Sequence, residues 1–341
     1  MEYLLVFLTA VAVTFALTPF AIFIAPKIGA VDIPKDNRRV HSKPMPRFGG
    51  LAIFIGTSAA IAVFLAPGNP RMTGVLICGA LIYLVGVVDD LRGLSAKVKF
   101  LGQVLIACAA YGFGIRINFI HVFFLPDSDY TFFPGLSAFI MTVIWIAGIT
   151  NTINLIDGLD GLAAGVTSIA SLSIAYAAFV SHAPIEATLA MLALAGGALG
   201  FLPYNFHPAK IFMGDSGALF LGFMLAALSI EGATKSATVV ALFVPVLVLG
   251  VPIFDTAFAI LRRMINKRPI MEADKGHLHH RIMAAGFGQK RAVLMLYGIS
   301  GTMGVAAVQL TRLLFVESLA LIAIAATLIY VFLTGTGDNK Q

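Results

Sequence analysis

Apolar runs recur from one end of the chain to the other, and short polar connections separate them. Runs of about 17–25 residues are long enough to cross a hydrocarbon layer as α-helices. They are continuous rather than alternating, which argues against a transmembrane β-barrel. The pattern predicts an all-α polytopic membrane fold with about eleven spans, at roughly 3–25, 49–66, 72–88, 100–116, 135–153, 162–181, 185–204, 216–232, 237–260, 293–311 and 315–334. The stretch 117–134 reads as a loop able to hold a short hairpin. No repeat, low-complexity tract or separate soluble segment interrupts the pattern, so residues 1–341 are expected to form one domain.

Composition supports this picture. The chain is 59% hydrophobic and 12% charged, whereas soluble domains run nearer about 25% charged. Too little polar sequence remains to cover a soluble core of this size. Cys78 and Cys108 lie inside apolar runs, where they read as small buried side chains without a disulfide or CxxC pattern. The run from Tyr3 to Ala25 is too long for a signal-peptide core and lacks a basic leader, so it is expected to be a retained span.

Lysine and arginine are distributed unevenly between the two sets of connections. Loops 26–48, 89–99, 205–215 and 261–292 carry most of them, and the other face has only Arg71, Arg116, Lys235 and Arg312. The positive-inside bias predicts that the basic face is cytoplasmic, with the N-terminus outside and the C-terminus inside. The net charge of +6 has its explanation in that bias. It does not call for nucleic acid, since no aromatic-rich basic module accompanies it.

Acids are costly in membrane helices, at roughly 2.5–3.5 kcal/mol each near the centre. Here they gather at span ends on the basic face. The run GVVDDLRGLSAKVK holds adjacent Asp89 and Asp90, whose repulsion favours proton or cation uptake. The run NTINLIDGLDGLAAG holds Asn154, Asp157 and Asp160 around two Asp-Gly pairs that predict a turn. A plain polar turn with its Asp residues capping the next helix is the alternative. FMGDSGALFLG opens a span with Asp215, and the free N–H groups of that helix start would suit phosphate. Asp215 would suit a hard cation such as Mg²⁺, and Phe212 offers either a flat face to a base or ordinary packing. The loop around HLHHR holds His277, His279, His280 and Arg281. Without HExxH or Cys/His spacing it fits an anionic diphosphate better than zinc. PMPRFGG, Pro44 to Gly50, reads as a rigid turn, Asp255 as a polar group within the ninth span, and His121, His182 and His207 as incidental.

In this order and spacing, GVVDD, NLIDGLDGLA, MGDSG and HLHHR resemble the polyprenyl-phosphate N-acetylhexosamine-1-phosphate transferases. That superfamily also holds the transferase making the first peptidoglycan lipid intermediate and the eukaryotic dolichyl-phosphate enzyme. The resemblance covers about Arg39 to Arg281 and implies ten or eleven spans with a cytoplasmic active site. It implies catalysis or acceptor orientation by Asp89 and Asp90. It implies Mg²⁺, with Mn²⁺ as a substitute, on Asp215 and Asn154. Asp157, Asp160 and Phe212 would bind the nucleotide, Phe212 by stacking on the uracil. His277, His279, His280 and Arg281 would hold the donor diphosphate and sugar, and Lys99 the acceptor phosphate. Ala218 and Ile282 depart from the usual Ser and Leu, at positions not expected to do chemistry.

The HHR form resembles the amino-sugar branch, which implies a UDP-N-acetylhexosamine donor, UDP-GlcNAc, and an undecaprenyl phosphate acceptor. Further implications are a bacterial inner-membrane location, a role in starting cell-surface polysaccharide such as lipopolysaccharide or teichoic acid, and a homodimer. Transfer of phospho-MurNAc-pentapeptide to the same lipid is the alternative. A proton-coupled transporter would instead place its acids near the midplane of two symmetric halves. An intramembrane aspartyl protease would need GxGD, and Phe212 occupies the place of its first glycine.

Overall fold

The computed structural model describes residues 1–32, 44–120, 131–132, 135–231, 245–250, 253, 263, 265, 287–311 and 314–334. Among these residues run ten long helices: α1 Glu2–Ile24, α2 Gly50–Phe64, α3 Pro70–Arg92, α4 Ala96–Gly112, α5 Gly135–Ile156, α6 Leu162–Val180, α7 Ile185–Asn205, α8 Gly214–Glu231, α9 Gln289–Thr311 and α10 Phe315–Thr334. They match ten of the expected spans within a few residues. The ninth, 237–260, lies largely outside the described residues, as do Asp255 and the HLHHR run. Seven described helices are long and apolar enough to cross a membrane, and Gly50–Phe64 and Val316–Leu328 are apolar but shorter. The protein is an all-α polytopic membrane protein.

Two short antiparallel ladders accompany the helices. β1 Val31–Asp32 pairs with β2 Met45–Pro46, and β3 Phe119–Ile120 with β4 Thr131–Phe132. The second is the hairpin expected within 117–134.

Helix α8 sits at the centre, nearly all of it buried, packed against α3, α5, α2, α7 and α6. Close backbone approach accompanies the buried Phe220 and Phe223 here, as small residues allow between membrane helices. A Cβ at Gly222 would meet the Thr150 backbone of α5, and one at Gly86 would run into the Ser216 backbone of α8. By contrast, α1 leaves Leu4, Leu5, Leu8, Phe15, Phe20 and Phe23 exposed, as a lipid-facing helix does.

The ends of the helices are cut by local chemistry. Asn69 accepts from the Arg71 and Met72 amides to start α3, with Pro70 at its first position. Gly93 ends α3 at φ +69, and Ser95 caps α4 by accepting from the Val98 amide. The α3–α4 link is therefore three residues long and brings Lys99 back beside Asp89. Helices α3 and α8 run antiparallel: Arg71 and Glu231 meet at one end, 3.8 Å apart, and the acids gather at the other.

Candidate active site

Asp215 lies in the first turn of α8, and three elements converge on it. Its Oδ1 accepts from Asn154 Nδ2 of α5 at 2.6 Å and from Lys99 Nζ of α4 at 2.9 Å. Its Oδ2 accepts from Arg47 Nη2, which comes from the turn before α2. Lys99 also reaches Asp89 Oδ2 at 2.8 Å, and the other oxygen of Asp89 accepts from the Leu94 amide at 2.6 Å. The residues expected from GVVDD, NTINLID, MGDSG and Lys99 thus meet at one end of the helix bundle.

In the sequence Arg47 is one of several basic residues of loop 26–48. The structure makes it part of the site. Its turn is stitched to the segment before α8: Phe212 N donates to Pro46 O at 2.9 Å, and Gly49 N donates to Phe212 O at 3.0 Å. That parallel bridge between Arg47 and Phe212 carries the guanidinium to Asp90 and Asp215. Burial works against the Arg47 charge, but Asp90 and then Asp215 outweigh it and hold its pKa above the ordinary value. The signal for it lay in PMPRFGG, a cation in a turn stiffened by two prolines and followed by two glycines.

The helix start at Asp215 differs from expectation. Two of its first N–H groups are not open to phosphate: Asp215 N and Ser216 N donate to the Asp90 carboxylate at 2.8 and 3.0 Å. The Asp-Gly run also differs from a plain capped turn. Helix α5 ends at Ile156, and α6 begins after Gly161, which stands at φ +80 and caps with no side chain.

Asp160 instead turns away from α6. Its Oδ2 lies 2.8 Å from His207 Nδ1 and accepts from the Ala209 amide at 3.1 Å. His207 is therefore not incidental. Asn205 ties the same region together, accepting from Gly161 N and donating to Ile211 O, both at 3.0 Å. Asp157, half-buried, feels the charges of Asp215, Arg47, Asp90 and Asp160. Burial, reinforced by the negative charge of Asp215, pushes its carboxyl up to about 7. Phe212 is half-buried beside Arg47. His277, His279, His280 and Arg281 lie outside the described residues.

The charges are unequal. Among the described residues, Asp89, Asp90 and Asp215 are paired with two cations, Arg47 and Lys99. The carboxylate oxygens of Asp215 and Asp89 are hard donors of the kind Mg²⁺ takes, and Asn154, which turns its Nδ2 to Asp215, would have to turn its side-chain oxygen to join them. Among the described residues no three carboxylate, imidazole or thiol groups gather as a cage for an ion. An ion on Asp215 would therefore need oxygens from a substrate, as Mg²⁺ sites commonly do.

A family profile described as Glycosyl transferase family 4 matches residues 72–233, which include Asp89, Asp90, Lys99, Asn154 and Asp215. The chain is 44% identical over 331 residues to a probable undecaprenyl-phosphate N-acetylglucosaminyl 1-phosphate transferase of Bacillus subtilis, covering 97% of this chain and 91% of that one. The chain belongs to the polyprenyl-phosphate N-acetylhexosamine-1-phosphate transferase family. Another similar member is the decaprenyl-phosphate N-acetylglucosaminephosphotransferase of Mycolicibacterium smegmatis, 36% identical over 87% of this chain and 79% of that one. The phospho-N-acetylmuramoyl-pentapeptide-transferase of Moorella thermoacetica is 33% identical over 82% of this chain and 88% of that one. Within this family the Asp215 cluster is the candidate for the phosphoryl-transfer centre.

Proposed function

We propose that the protein transfers N-acetylglucosamine 1-phosphate from UDP-GlcNAc to undecaprenyl phosphate, releasing UMP. The observation that carries this reading is the convergence of Arg47, Lys99 and Asn154 on Asp215, in a chain of this family. Greater identity to the N-acetylglucosamine transferases than to the pentapeptide transferase favours the amino-sugar donor. The bias of lysine and arginine supports a site on the cytoplasmic face of a bacterial inner membrane.

The reaction is a displacement at phosphorus. An oxygen of the lipid phosphate attacks the donor phosphorus that bears the sugar, the bond to the UMP oxygen breaks, and a lipid-linked sugar diphosphate forms. Catalysis of this kind rests on positioning and charge neutralisation. Arg47 has N–H donors beyond the two that hold Asp90 and Asp215, and these can receive the donor diphosphate. Lys99 stands between Asp89 and Asp215, where its ammonium can draw the acceptor phosphate toward the donor. Asp89, already held by Leu94 N and Lys99, is placed to take a residual proton from that phosphate. Such a phosphate is already largely ionised at neutral pH, since its second pKa is about 6. Direct displacement therefore needs no covalent aspartyl intermediate.

Asp215 and the side-chain oxygen of Asn154 would hold Mg²⁺, which supplies neutralisation of charge on the diphosphate. Asp160, held by His207, and Phe212 would meet the nucleoside. His277, His279, His280 and Arg281 would meet the diphosphate and sugar.

The test uses purified protein in detergent with UDP-GlcNAc and undecaprenyl phosphate. UMP release that needs both substrates and Mg²⁺ is expected, and Asp215→Asn should abolish it. Full activity of Asp215→Asn removes the metal assignment. Turnover only with a different UDP-sugar removes the donor assignment.

A further inference from the structure

We infer that Asp90 is a positioning residue: it caps α8 from the neighbouring helix α3 and so aims Asp215, and it does not exchange a proton with substrate. An α-helix leaves its first N–H groups without partners, and a side chain just before the helix usually supplies the acceptor. Phe212 and Met213 have none to offer, and Gly214 has no side chain at all. Asp90 fills that role from another helix, with Oδ1 on Asp215 N and Oδ2 on Ser216 N.

The surroundings are built for this contact. Gly214 stands at φ +72, and a Cβ there would lie 2.5 Å from Asp90 Oδ2. Gly86, one turn earlier on α3, lets the two helices approach to backbone contact. Arg47 Nε adds a third donor to Asp90 at 3.0 Å, and the Asp90 side chain is fully buried. Both oxygens are thus spent on groups of the protein. The adjacent Asp89 differs in its partners: one backbone amide, Leu94 N, and the Lys99 ammonium, which the acceptor phosphate of the proposed reaction would share.

The inference deepens the reaction proposed above, but its main test needs no turnover. Amide hydrogen exchange on the full chain in detergent, without substrates, should find the Asp215 and Ser216 amides among the slowest in residues 212–220. Fast exchange there in the wild type overturns the inference. In Asp90→Asn one acceptor oxygen becomes an N–H donor facing an amide N–H. Exchange at the amide that loses its acceptor should rise about tenfold or more, the loss expected for a charge-assisted bond, while Asp89→Asn leaves both protected. Unchanged protection in Asp90→Asn overturns it. In the transferase assay, Asp90→Asn should lower kcat about 10–100-fold per folded molecule, as residues behind a metal ligand do. The acid limb of its pH profile should stay in place. Loss of that limb makes Asp90 a general base and overturns the positioning role.

Discussion

The Lys99 ammonium lies 2.9 Å from the Asp215 carboxylate, although 116 positions separate the two in the chain. Two structural facts produce the contact: the short α3–α4 link, which turns Lys99 back over the end of α3, and the packing of α3 on α8. Since Lys99 also holds Asp89, one ammonium keeps two carboxylates from repelling each other. Removing it should harm the acceptor end of the reaction first. Lys99→Met is expected to raise KM for undecaprenyl phosphate about tenfold or more, the loss of one charge-assisted hydrogen bond. KM for UDP-GlcNAc should change less. Steady-state kinetics with each substrate varied in turn checks this, and an effect confined to UDP-GlcNAc assigns Lys99 to the donor instead.

The Asp160–His207 pair predicts the opposite split. His207→Ala leaves the Asp160 carboxylate held by the Ala209 amide. If Asp160 faces the nucleoside, losing its orientation should weaken UMP and UDP-GlcNAc binding about tenfold. Undecaprenyl phosphate binding should be little changed. Competition of UMP against the donor measures it directly, and unchanged inhibition by UMP removes Asp160 from the nucleoside pocket.

Much of the fold was legible in the sequence because a bilayer demands continuous apolar runs, and the runs are what the helices follow. The acids were legible because charge at a span end is costly and here recurs in three runs. What the sequence could not say is where each carboxylate points. Asp89 and Asp90 are neighbours on one helix, so their side chains diverge by about 100°. One therefore meets Lys99 and the Leu94 amide, and the other the start of α8. Arg47 was hidden among the other basic residues of loop 26–48, which carry the same positive-inside charge. Its bridge to Phe212 is what carries it to the acids. His207 was hidden because its partner, Asp160, lies 47 positions away.

Asp157 gives a pH prediction. Its carboxyl is pushed from the ordinary 3.8 up to about 7, first by burial and then by the Asp215 charge. A raised carboxyl pKa means that the folded protein holds a proton which the unfolded chain releases. This contribution to stability is fully present below about pH 4 and is lost as pH rises through about 7. With a chelator present, the unfolding midpoint in detergent should fall between pH 5 and 8 more steeply for wild type than for Asp157→Asn. Equal slopes would mean that Asp157 titrates normally.

Gly86 tests the helix contact that supports the whole site. A Cβ there would overlap Ser216 Cα and N and lie 2.7 Å from the Asp215 carbonyl oxygen. These are backbone atoms, which cannot swing aside as a side chain does, so Gly86→Ala must push α3 and α8 apart. Overpacking of this kind costs about 1–3 kcal/mol. Gly148, in the interior of α5, has nothing within 4 Å of its would-be Cβ. Gly148→Ala should therefore be neutral or gain about 0.5–1 kcal/mol from the better helix former. The same methyl group is thus expected to destabilise at one helical glycine and not at the other. Thermal unfolding of the two variants side by side checks the contrast. Because Gly86 faces the turn that carries Asp215, its variant should also lose transferase activity at temperatures where it remains folded. Retention of both stability and activity in Gly86→Ala would mean that α3 and α8 do not meet at this distance.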